Sequence, residues 1–482
     1  MFDAEKNRRE ENMKRACLFS IALLSLIVLT IVPLTKSASN NPNLKYNVTP
    51  VKTQFEEAAV IATSQATGTY LGYDIDLVNA ELYPDGGEGI YVAIIDTGLV
   101  NGWQNFLPPT ANIRTDLGRG WSYDVVWDKK IGDFVWTPNT NRGFITKAYE
   151  GDGHGTHVAS TIVGYQRATI GVAPHIVRGV APKATIIPLL GLDTWLVDCP
   201  AKFYDADGDG INDVHDRKVL FRGGDDWMLT SAIYYVASLA EANGWKIIVN
   251  NSWGSSEPSP LIREAIDYAI TKGVIFVFSA GNDGMAGMGW PGAYPEVISA
   301  AAGGWTMQMV GYQPSNPPSP YRWYLSDVPE QLNTRDALGN NWQIYLGEFS
   351  GRPNAALGQD WKDLDVCAPG CYVVGPYKPE AAWSGTAWVN LDAPTAYYGL
   401  WGTSMAAPHV VGVAAIVAHY YQGFNQYEME WVLDKAASYI PLSSNVKYAY
   451  DPFYGPAFYN NDHDSGRGWL TADWALYCAA NP

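Results

Sequence analysis

Charged side chains are scarce in this sequence of 482 residues, where Asp, Glu, Lys and Arg together make up 17% of the chain. Soluble proteins usually carry about 25%. Basic residues are the scarcer kind, with 32 Lys and Arg against 49 Asp and Glu, and the formal net charge is −17. This balance disfavours nucleic acids and anionic membrane surfaces as partners, because both are polyanions. The excess of acidic residues is compatible with the binding of calcium ions.

Aromatic residues take the place of the missing charges, with 19 Trp and 30 Tyr. The surface must therefore rely on aromatic and neutral polar groups. Such a surface suits an acidic environment, and it suits surface assembly or glycan contact equally well. The hydrophobic share of 47% leaves enough apolar material for a sizeable core.

Cysteine is also rare, and four of the five cysteines lie outside the N-terminal region, at Cys199, Cys367, Cys371 and Cys478. An even number in an oxidising compartment favours disulfides, and four cysteines permit three pairings. One of these pairings joins Cys367 to Cys371 across Ala-Pro-Gly and leaves Cys199 with Cys478.

Long apolar runs are limited to residues 16–34, which carry no charge and follow Lys14-Arg15. The run is long for the core of a signal peptide and close to the roughly 20 residues that span a bilayer. Small residues at 37–39 would also allow cleavage. We favour a retained single-pass anchor, with the following chain at the cell surface or outside the cell. Residues 1–36 then form a tail plus anchor or signal sequence, and 37–88 a short N-terminal segment.

The rest of the chain contains no repeats and alternates between strand and helix patterns. Apolar runs predict strands over 90–95, 185–190, 246–250, 274–278 and 297–302. Helices are predicted over 157–163, 227–243, 259–272 and 404–421. This alternation indicates an α/β domain over 89–478 with a mostly parallel central sheet and helices on both faces. Functional loops are expected at the carboxyl ends of its strands.

Ser404 follows a tight Gly402-Thr403 step and opens a helix rich in Ala and Val. A hydroxyl at a helix N-terminus lies beside free backbone N–H groups that can stabilise an anion. Asp96 ends a predicted buried strand, and His154 lies in a glycine-rich loop that runs into a helix. Ser404 alone could be a helix N-cap, but a cap requires neither Asp96 nor His154. Together the three residues predict a serine nucleophile with its base and its orienting acid.

Three segments resemble the signatures of the subtilisin-like serine proteases, the subtilases: Ile94-Ile95-Asp96-Thr97-Gly98, His154-Gly155-Thr156-His157-Val158-Ala159 and Gly402-Thr403-Ser404-Met405-Ala406. Weaker matches include Gly179-Val180-Ala181-Pro182, Asn251-Ser252-Trp253-Gly254, Ser279-Ala280-Gly281-Asn282 and Asp365-Val366-Cys367-Ala368-Pro369-Gly370. The similarity extends over roughly residues 70–478. It implies a three-layer subtilisin-like fold and an endopeptidase that cleaves extracellular proteins through an acyl-enzyme.

The resemblance also implies individual roles. Ser404 is the expected nucleophile, His154 the general base and Asp96 the residue that orients His154. Asn282 matches the family's oxyanion-hole asparagine, which acts together with the backbone N–H of Ser404. His157 and His409 are expected to be structural. No cysteine has a comparable motif, which disfavours a cysteine protease.

Substrate contacts are implied for two segments. Residues Ser252, Trp253 and Gly254 match the edge of the cleft on which an extended peptide adds as a strand. Ala280 and Gly281 match the opposite side of the first specificity pocket. Trp253 is larger than the residue often found there, so we expect narrower or more aromatic subsites beside it.

Two insertions, at about 193–225 and 305–345, interrupt the similarity. The first contains the spacing of a calcium-binding loop, with five carboxylates, a glycine at the sixth position and a backbone carbonyl at the seventh. The expected ligands are Asp205, Asp207, Asp209, Ile211, Asp213 and Asp216. Asp216 replaces the usual longer glutamate. The expected cofactor is therefore a structural Ca²⁺, although a merely solvated acidic loop is the alternative.

One alternative function belongs to another class. The chain could be a surface binding or structural protein that keeps the subtilisin fold without turnover and uses its aromatic insertions to hold glycans or a partner. The complete set Asp96, His154, Asn282 and Ser404 argues against this alternative, because a site that has lost its activity has no physical need to keep all four residues.

Overall fold

Helices and strands alternate one by one over residues 226–279, whereas several strands follow one another in most other described parts of the chain. A computed structural model describes residues 69–146, 153–167, 175–199, 218–305, 334–335, 341–342, 344–379, 382–383, 388–389, 393–442, 449–451, 455–457 and 464–482. The helices in these residues are α1 (Tyr73–Asp76), α2 (His154–Val163), α3 (Asp226–Asn243), α4 (Pro260–Thr271), α5 (Thr403–Tyr420), α6 (Gln426–Ala437) and α7 (Ala472–Ala480).

The strands vary from two to eight residues in length. They are β1 (Thr69–Tyr70), β2 (Tyr91–Asp96), β3 (Asn112–Ile113), β4 (Arg119–Gly120), β5 (Ser122–Asp128), β6 (Asp133–Asn139), β7 (Tyr165–Arg167), β8 (His175–Val177), β9 (Thr185–Leu190), β10 (Asp193–Asp198), β11 (Lys218–Gly223), β12 (Ile247–Asn251), β13 (Ile275–Ser279), β14 (Ile298–Trp305), β15 (Thr334–Arg335), β16 (Asn341–Trp342), β17 (Ile344–Leu346), β18 (Val366–Pro369), β19 (Val373–Tyr377), β20 (Ala382–Trp383), β21 (Trp388–Val389), β22 (Ala396–Leu400), β23 (Ala449–Asp451) and β24 (Gly455–Ala457).

The central sheet has the strand order β17-β14-β13-β12-β2-β9-β3, and β18 and β4 join it beside β14 and β9. All of these neighbours are parallel except β14 and β17. Strands β2 and β12 are neighbours near the middle of the sheet. The loops that follow Asp96 and Asn251 therefore leave the sheet at the same edge.

Both faces of the sheet are covered by helices. Along β2, Val92 and Ile94 belong to a core cluster shared with α2, α5, α6 and α7. Ala93 and Ile95 belong to a second cluster shared with α3 and α4. Successive side chains of a strand point to opposite faces, so a strand buried on both sides is apolar at nearly every position. The predicted three-layer α/β fold is confirmed.

Helix α5 lies in the core for most of its length. Its residues from Thr403 to Ala418 are all buried. Small Ala, Gly and Val side chains allow the helix to lie close under the strands, and α5 packs against β12, β13, β14 and β18. The N-terminus of α5, where Ser404 lies, is therefore held between strands of the sheet.

Local capping explains where the outer helices begin and end. The Asp225 carboxylate accepts a hydrogen bond from Met228 N, and Ser259 Oγ accepts one from Ile262 N. Such side chains satisfy backbone donors that have no partner inside the helix. Gly244, in the left-handed region with φ 65°, ends α3.

The five predicted strands and four predicted helices are all present. The largest differences are in α2, which begins at His154 instead of residue 157, and in β14, which ends at Trp305 instead of residue 302. The sequence patterns did not predict the hairpin β5–β6. Residues 193–225 were predicted only as an insertion, whereas the ends of that segment form the antiparallel pair β10 and β11.

These two strand pairs pack together through aromatic side chains and form what we call the hairpin module, residues 122–139, 193–198 and 218–223. Its small core contains Tyr123, Phe134, Trp136, Trp195 and Phe221. The predicted calcium loop lies outside the described residues, as do the predicted anchor and most of the second insertion. The domain limits therefore stay predictions.

Candidate active site

Asp96 and His154 form a buried pair at the carboxyl end of β2. The Nδ1 atom of His154 lies 2.8 Å from Oδ1 of Asp96 and 3.0 Å from Oδ2. Asp96 is fully buried and His154 is 3% exposed. Because a carboxylate can only accept, Nδ1 carries the proton, and Nε2 of the neutral ring is left as the base. The backbone N–H of Thr97 donates to Asp96 at 2.7 Å and fixes the carboxylate further.

Glycines on both sides of His154 allow this close approach. A β-carbon on Gly155 would lie 2.3 Å from the carbonyl oxygen of Gly98, and one on Gly153 would lie 2.0 Å from the backbone N of Lys378. The backbone N–H of Gly155 also donates to Thr97 Oγ1 at 3.0 Å. The first turn of α2 therefore rests directly on the chain that follows Asp96.

Ser404 is the second residue of α5 and is 8% exposed. Its Oγ donates to the carbonyl oxygen of Ser252 at 3.0 Å, and the Oγ of Ser252 donates back to the carbonyl of Ser404 at 2.7 Å. The Nδ2 of Asn250 donates to Ser252 Oγ at 2.9 Å. These bonds attach the start of α5 to the end of β12, next to the strand that carries Asp96.

Asn282 lies beside the start of the same helix. Its Oδ1 accepts hydrogen bonds from N and Oγ1 of Thr403, at 2.9 and 3.0 Å. Thr403 Oγ1 in turn accepts from the backbone N–H of Gly281 at 3.1 Å. With Oδ1 held in this way, Nδ2 remains as a donor, and it has no hydrogen-bond partner in the part of the chain that is described.

Gly402 separates two donors that can bind an anion. A β-carbon on Gly402 would lie 3.8 Å from Asn282 Nδ2 and 3.7 Å from the backbone N of Ser404. The N–H of Ser404 belongs to the first turn of α5, where backbone donors have no acceptor within the helix. Both donor nitrogens therefore lie beside the position that a β-carbon of residue 402 would occupy.

The segments expected to bind substrate meet through their backbones. A β-carbon on Gly289 would lie 3.6 Å from Cα of Gly281 and 3.9 Å from Cα of Gly254. Ala280 is fully buried. Gly281 has φ 92°, a conformation that favours glycine. Gly254, Gly281 and Gly289 thus face one another with no side chain between them. Gly289 was not among the residues predicted from the sequence.

Trp253 does not line the site with its side chain. The indole is 2% exposed and packs edge-on against Phe278, with ring centroids 5.2 Å apart. It belongs to the core cluster beneath α3 and α4. The prediction that the bulk of Trp253 narrows the substrate subsites is therefore not supported.

His157 and His409 are both buried and bonded to carbonyl oxygens. His157 Nε2 lies 3.0 Å from the carbonyl of Val373, and His409 Nδ1 lies 2.8 Å from that of Met405. Burial, with a smaller contribution from the charge of His154, lowers the pKa of His157 to about 3. His157 therefore stays neutral and is unsuited to exchange protons near neutral pH.

The four cysteines outside the N-terminal run are buried and form no disulfide within the described residues. Cys367 packs with Trp305 and Trp469, whereas Cys371 belongs to the cluster around α5. The predicted pairings of Cys367 with Cys371 and of Cys199 with Cys478 are therefore not supported. Burial raises the pKa of the Cys367 thiol, so it is not a reactive thiolate.

Metal and membrane features have no counterpart in the described ranges. No cluster of three or more His, Cys, Asp or Glu side chains there is arranged to hold a metal ion. None of the helices described is long and apolar enough to span a bilayer. The predicted ligands from Asp205 to Asp216 and the apolar run at 16–34 lie elsewhere in the chain.

Comparison with known proteins identifies the family. The model of the Subtilase family matches residues 87–462, well over half of the chain. The chain is a subtilase. It therefore belongs to a family of serine-type endopeptidases, as the sequence motifs predicted.

Individual relatives of this subtilase are distant. It is 27% identical to a subtilisin from Bacillus sp. (strain TA39) over 395 residues, which cover 80% of this chain and 68% of the relative. Fervidolysin from Fervidobacterium pennivorans is 28% identical over 338 residues, 69% of this chain but only 35% of that protein. Among solved structures, sphericase matches with a TM-score of 0.50 and 23% identity, covering 84% of this chain and 99% of sphericase. This last similarity supports the fold alone.

Proposed function

We propose that this subtilase hydrolyses peptide bonds of extracellular proteins, with Ser404 as nucleophile, His154 as general base and Asp96 as the residue that orients His154. The observation that carries the proposal is the buried contact between His154 Nδ1 and Asp96. It leaves Nε2 as the only basic atom of the ring. The pair lies at the edge of the sheet where Ser252, which follows β12, is hydrogen-bonded to Ser404 of α5.

The reaction begins when Ser404 Oγ turns from the carbonyl of Ser252 towards His154. His154 Nε2 takes the hydroxyl proton as Oγ attacks the carbonyl carbon of the scissile peptide bond. The negative charge of Asp96 stabilises the imidazolium that forms. His154 then returns the proton to the leaving amine, and water hydrolyses the acyl-enzyme by the same route in reverse.

Asn282 Nδ2 and the backbone N–H of Ser404 stabilise the oxyanion of the tetrahedral intermediate. Both are fixed before the reaction, because Thr403 holds the Asn282 amide and the helix holds the backbone. Preorganised donors need no rearrangement when the negative charge forms, which is why such groups contribute strongly to catalysis.

Substrate binds along the backbone of Ser252, Trp253 and Gly254, and its first specificity side chain enters beside Ala280 and Gly281. The facing glycines Gly254, Gly281 and Gly289 support this assignment. Main chain that is not covered by side chains offers backbone groups for pairing with an extended peptide.

We further propose that the protein works at the cell surface, held by residues 16–34, and that Ca²⁺ orders the loop from Asp205 to Asp216. The calcium proposal rests on ligand spacing in the sequence. These residues lie between β10 and β11 in the sequence. Isothermal titration of the full chain with Ca²⁺, compared with Asp207→Asn, tests it.

Cleavage of an unfolded protein substrate tests the function. The purified full-length chain and its Ser404→Ala variant are compared with and without a chelator. We expect cleavage by the parent and, for the variant, a loss of at least about a thousandfold, since removal of the nucleophile leaves only binding and the oxyanion donors. Inhibition by the chelator would support the calcium site.

A folded parent chain that cleaves nothing would contradict the proposal. That result would favour the alternative of a subtilisin-fold binding protein. Retention of full activity by folded Ser404→Ala would also contradict the assigned nucleophile.

A further inference from the structure

Asp193 is a buried carboxylate at the root of the hairpin module. It lies three residues after Leu190, the partner of Asp96 in the pairing of β2 with β9. Asp193 is 6% exposed. The backbone N–H groups of Gly191 and Leu192 donate to the carbonyl of Asp96 at 2.9 and 3.2 Å. Asp193 therefore directly follows two residues that are hydrogen-bonded to the backbone of Asp96.

Arg142 makes a two-point contact with this carboxylate. Its Nε lies 2.9 Å from Oδ2 of Asp193, and its Nη2 lies 3.3 Å from Oδ1. Ser122 Oγ and Thr194 N complete the set of donors to Asp193, at 2.6 and 2.9 Å. A buried carboxylate with this many donors is held rigidly, and so is the guanidinium that it binds.

The third nitrogen of the guanidinium reaches the loop that braces Asp96. Arg142 Nη1 donates to the carbonyl of Ile145 at 2.9 Å. The neighbouring Phe144 carbonyl accepts from Leu99 N at 2.8 Å, and Thr146 N donates to the Leu99 carbonyl at 2.9 Å. Residues 144–146 thus pair with the backbone of Leu99, three residues after Asp96.

Contacts from this braced segment continue to the catalytic histidine. Gly98 approaches Phe144 so closely that a β-carbon on Gly98 would lie 2.1 Å from the Phe144 carbonyl oxygen. On its other side, the Gly98 carbonyl touches Gly155, the residue after His154. The segment 97–99 is therefore held between the Arg142 loop and the first turn of α2.

We propose that Arg142, anchored by Asp193, is a positioning residue that maintains the contact between Asp96 and His154. The proposal rests on the proposed function, because it assigns Arg142 to the support of that site. Arg142 itself is assigned no contact with the substrate or with the reacting atoms. A small displacement of a catalytic pair reduces turnover strongly, so its loss should lower kcat and leave KM unchanged.

Steady-state kinetics on the full chain and the low-field proton NMR signal of the His154–Asp96 hydrogen bond test the proposal together. The variants are Arg142→Gln, Arg142→Lys and the near-isosteric Asp193→Asn, each checked for folding by circular dichroism. Arg114→Gln is the matched control, because Arg114 forms an exposed ion pair with Asp116. A peptide amide serves as substrate.

Loss of the two-point contact should lower kcat by about tenfold to a hundredfold. KM should stay within about twofold, since substrate binding is not changed. The low-field signal should weaken or shift in Arg142→Gln and Asp193→Asn. Arg142→Lys should recover only part of the activity, because lysine keeps the charge without the fork geometry. Arg114→Gln should match the parent chain in both measurements.

Folded Arg142→Gln and Asp193→Asn chains with parental kcat and an unchanged low-field signal would overturn the proposal. An equal loss in Arg114→Gln would overturn it as well. The NMR signal separates this proposal from the proposed function. A parent chain without peptidase activity, whose signal still changes in Arg142→Gln, would refute the function and support the positioning role.

Discussion

At the residue scale, the most informative position beside the proposed nucleophile is Gly402, which has no side chain. Gly402 lies between Asn282 Nδ2 and the backbone N of Ser404, and a β-carbon there would be at ordinary contact distance from both. Its φ of 161° is extended and open to any residue. Under the proposed function, the glycine is therefore required by the space for an oxyanion and not by the backbone.

This requirement makes Gly402→Ala a test of the oxyanion site. The added methyl group should fill the space between the two donors and lower kcat by at least about tenfold, because a preorganised donor pair loses its access to the anion. The melting temperature should change little, since no atom is closer than 3.7 Å to the new carbon. Peptide-amide kinetics and calorimetry measure the two effects.

Gly423→Ala is the control for this prediction, because a β-carbon there would meet nothing within 4 Å. Asn282→Ala should give a larger loss in kcat, about a hundredfold to a thousandfold, the effect of removing one oxyanion donor in proteases of this kind. Unchanged kcat in Gly402→Ala would show that the oxyanion lies elsewhere.

Sequence motifs predicted the main residues of this site but not the groups that orient them. Asp96, His154 and Ser404 are recognisable because each lies in a distinctive local pattern. The bond between Asn282 and Thr403 joins residues 121 positions apart, and no local pattern encodes it. The same holds for Gly289, whose role depends on its distance from Gly254 and Gly281.

At the scale of elements, α2 and β2 are brought together by the absence of side chains. The first turn of α2 lies on residues 96–98 because Gly155 has no β-carbon to collide with the Gly98 carbonyl. The same contact places His154 beside Asp96. Stability and catalysis therefore depend on one packing contact.

Gly155→Ala should destabilise the fold by about 1 to 3 kcal/mol, because the new carbon would lie 2.3 Å from a backbone oxygen that cannot move freely. Urea unfolding measures this change, in a Ser404→Ala background that prevents self-digestion. Gly423→Ala again provides the comparison. A Gly155→Ala chain as stable as its parent would show that the contact is looser than described.

The central strands and main helices were predictable, whereas the hairpins were not. Strands buried on both faces are continuous apolar runs, as in β2, β9 and β13, and these are visible in a sequence. Strand β5 alternates between half-buried and exposed positions, and the ring of its Tyr123 contacts Trp136 of β6, Trp195 of β10 and Trp227 of α3. Its structure depends on packing with distant residues, so the local sequence gave no clear signal.

At the scale of the whole molecule, a buried group of carboxyls links three parts of the chain. Asp365 begins the turn into β18, Glu430 and Asp434 belong to α6, and Arg467 comes from the C-terminal segment. Arg467 Nε lies 3.1 Å from Asp434 Oδ2, and Ser299 N donates to Asp365 at 2.6 Å. Nearby, Glu296 is paired with Arg263. Three carboxyls thus share one close cation.

Burial raises the pKa of all three carboxyls, and their mutual repulsion adds to this effect for Asp365 and Glu430. The pKa of Glu430 rises from an ordinary 4.5 to about 8, and that of Asp434 rises to about 6. The folded protein therefore binds these protons more tightly than the unfolded chain does. The contribution of Glu430 and Asp434 to stability is complete below about pH 4 and is lost as the pH rises to about 8.

Glu430→Gln should reduce this pH dependence, because glutamine imitates the protonated carboxyl at every pH. The free energy of unfolding should fall less between pH 5 and about pH 8 than in the parent. Denaturant unfolding at several pH values, in the Ser404→Ala background, measures this difference. Glu264→Gln, at an exposed position on α4, is the control. Identical slopes for the parent and Glu430→Gln would contradict the prediction.

Covalent labelling by a serine-directed phosphonate, located by mass spectrometry, tests the central claim most directly. We expect the folded parent chain to be labelled at Ser404. Folded His154→Ala should be labelled at least about a thousandfold more slowly, because the base is missing. A folded parent that remains unlabelled, or carries the label at another serine, would contradict the assignment of Ser404 and His154 as nucleophile and base.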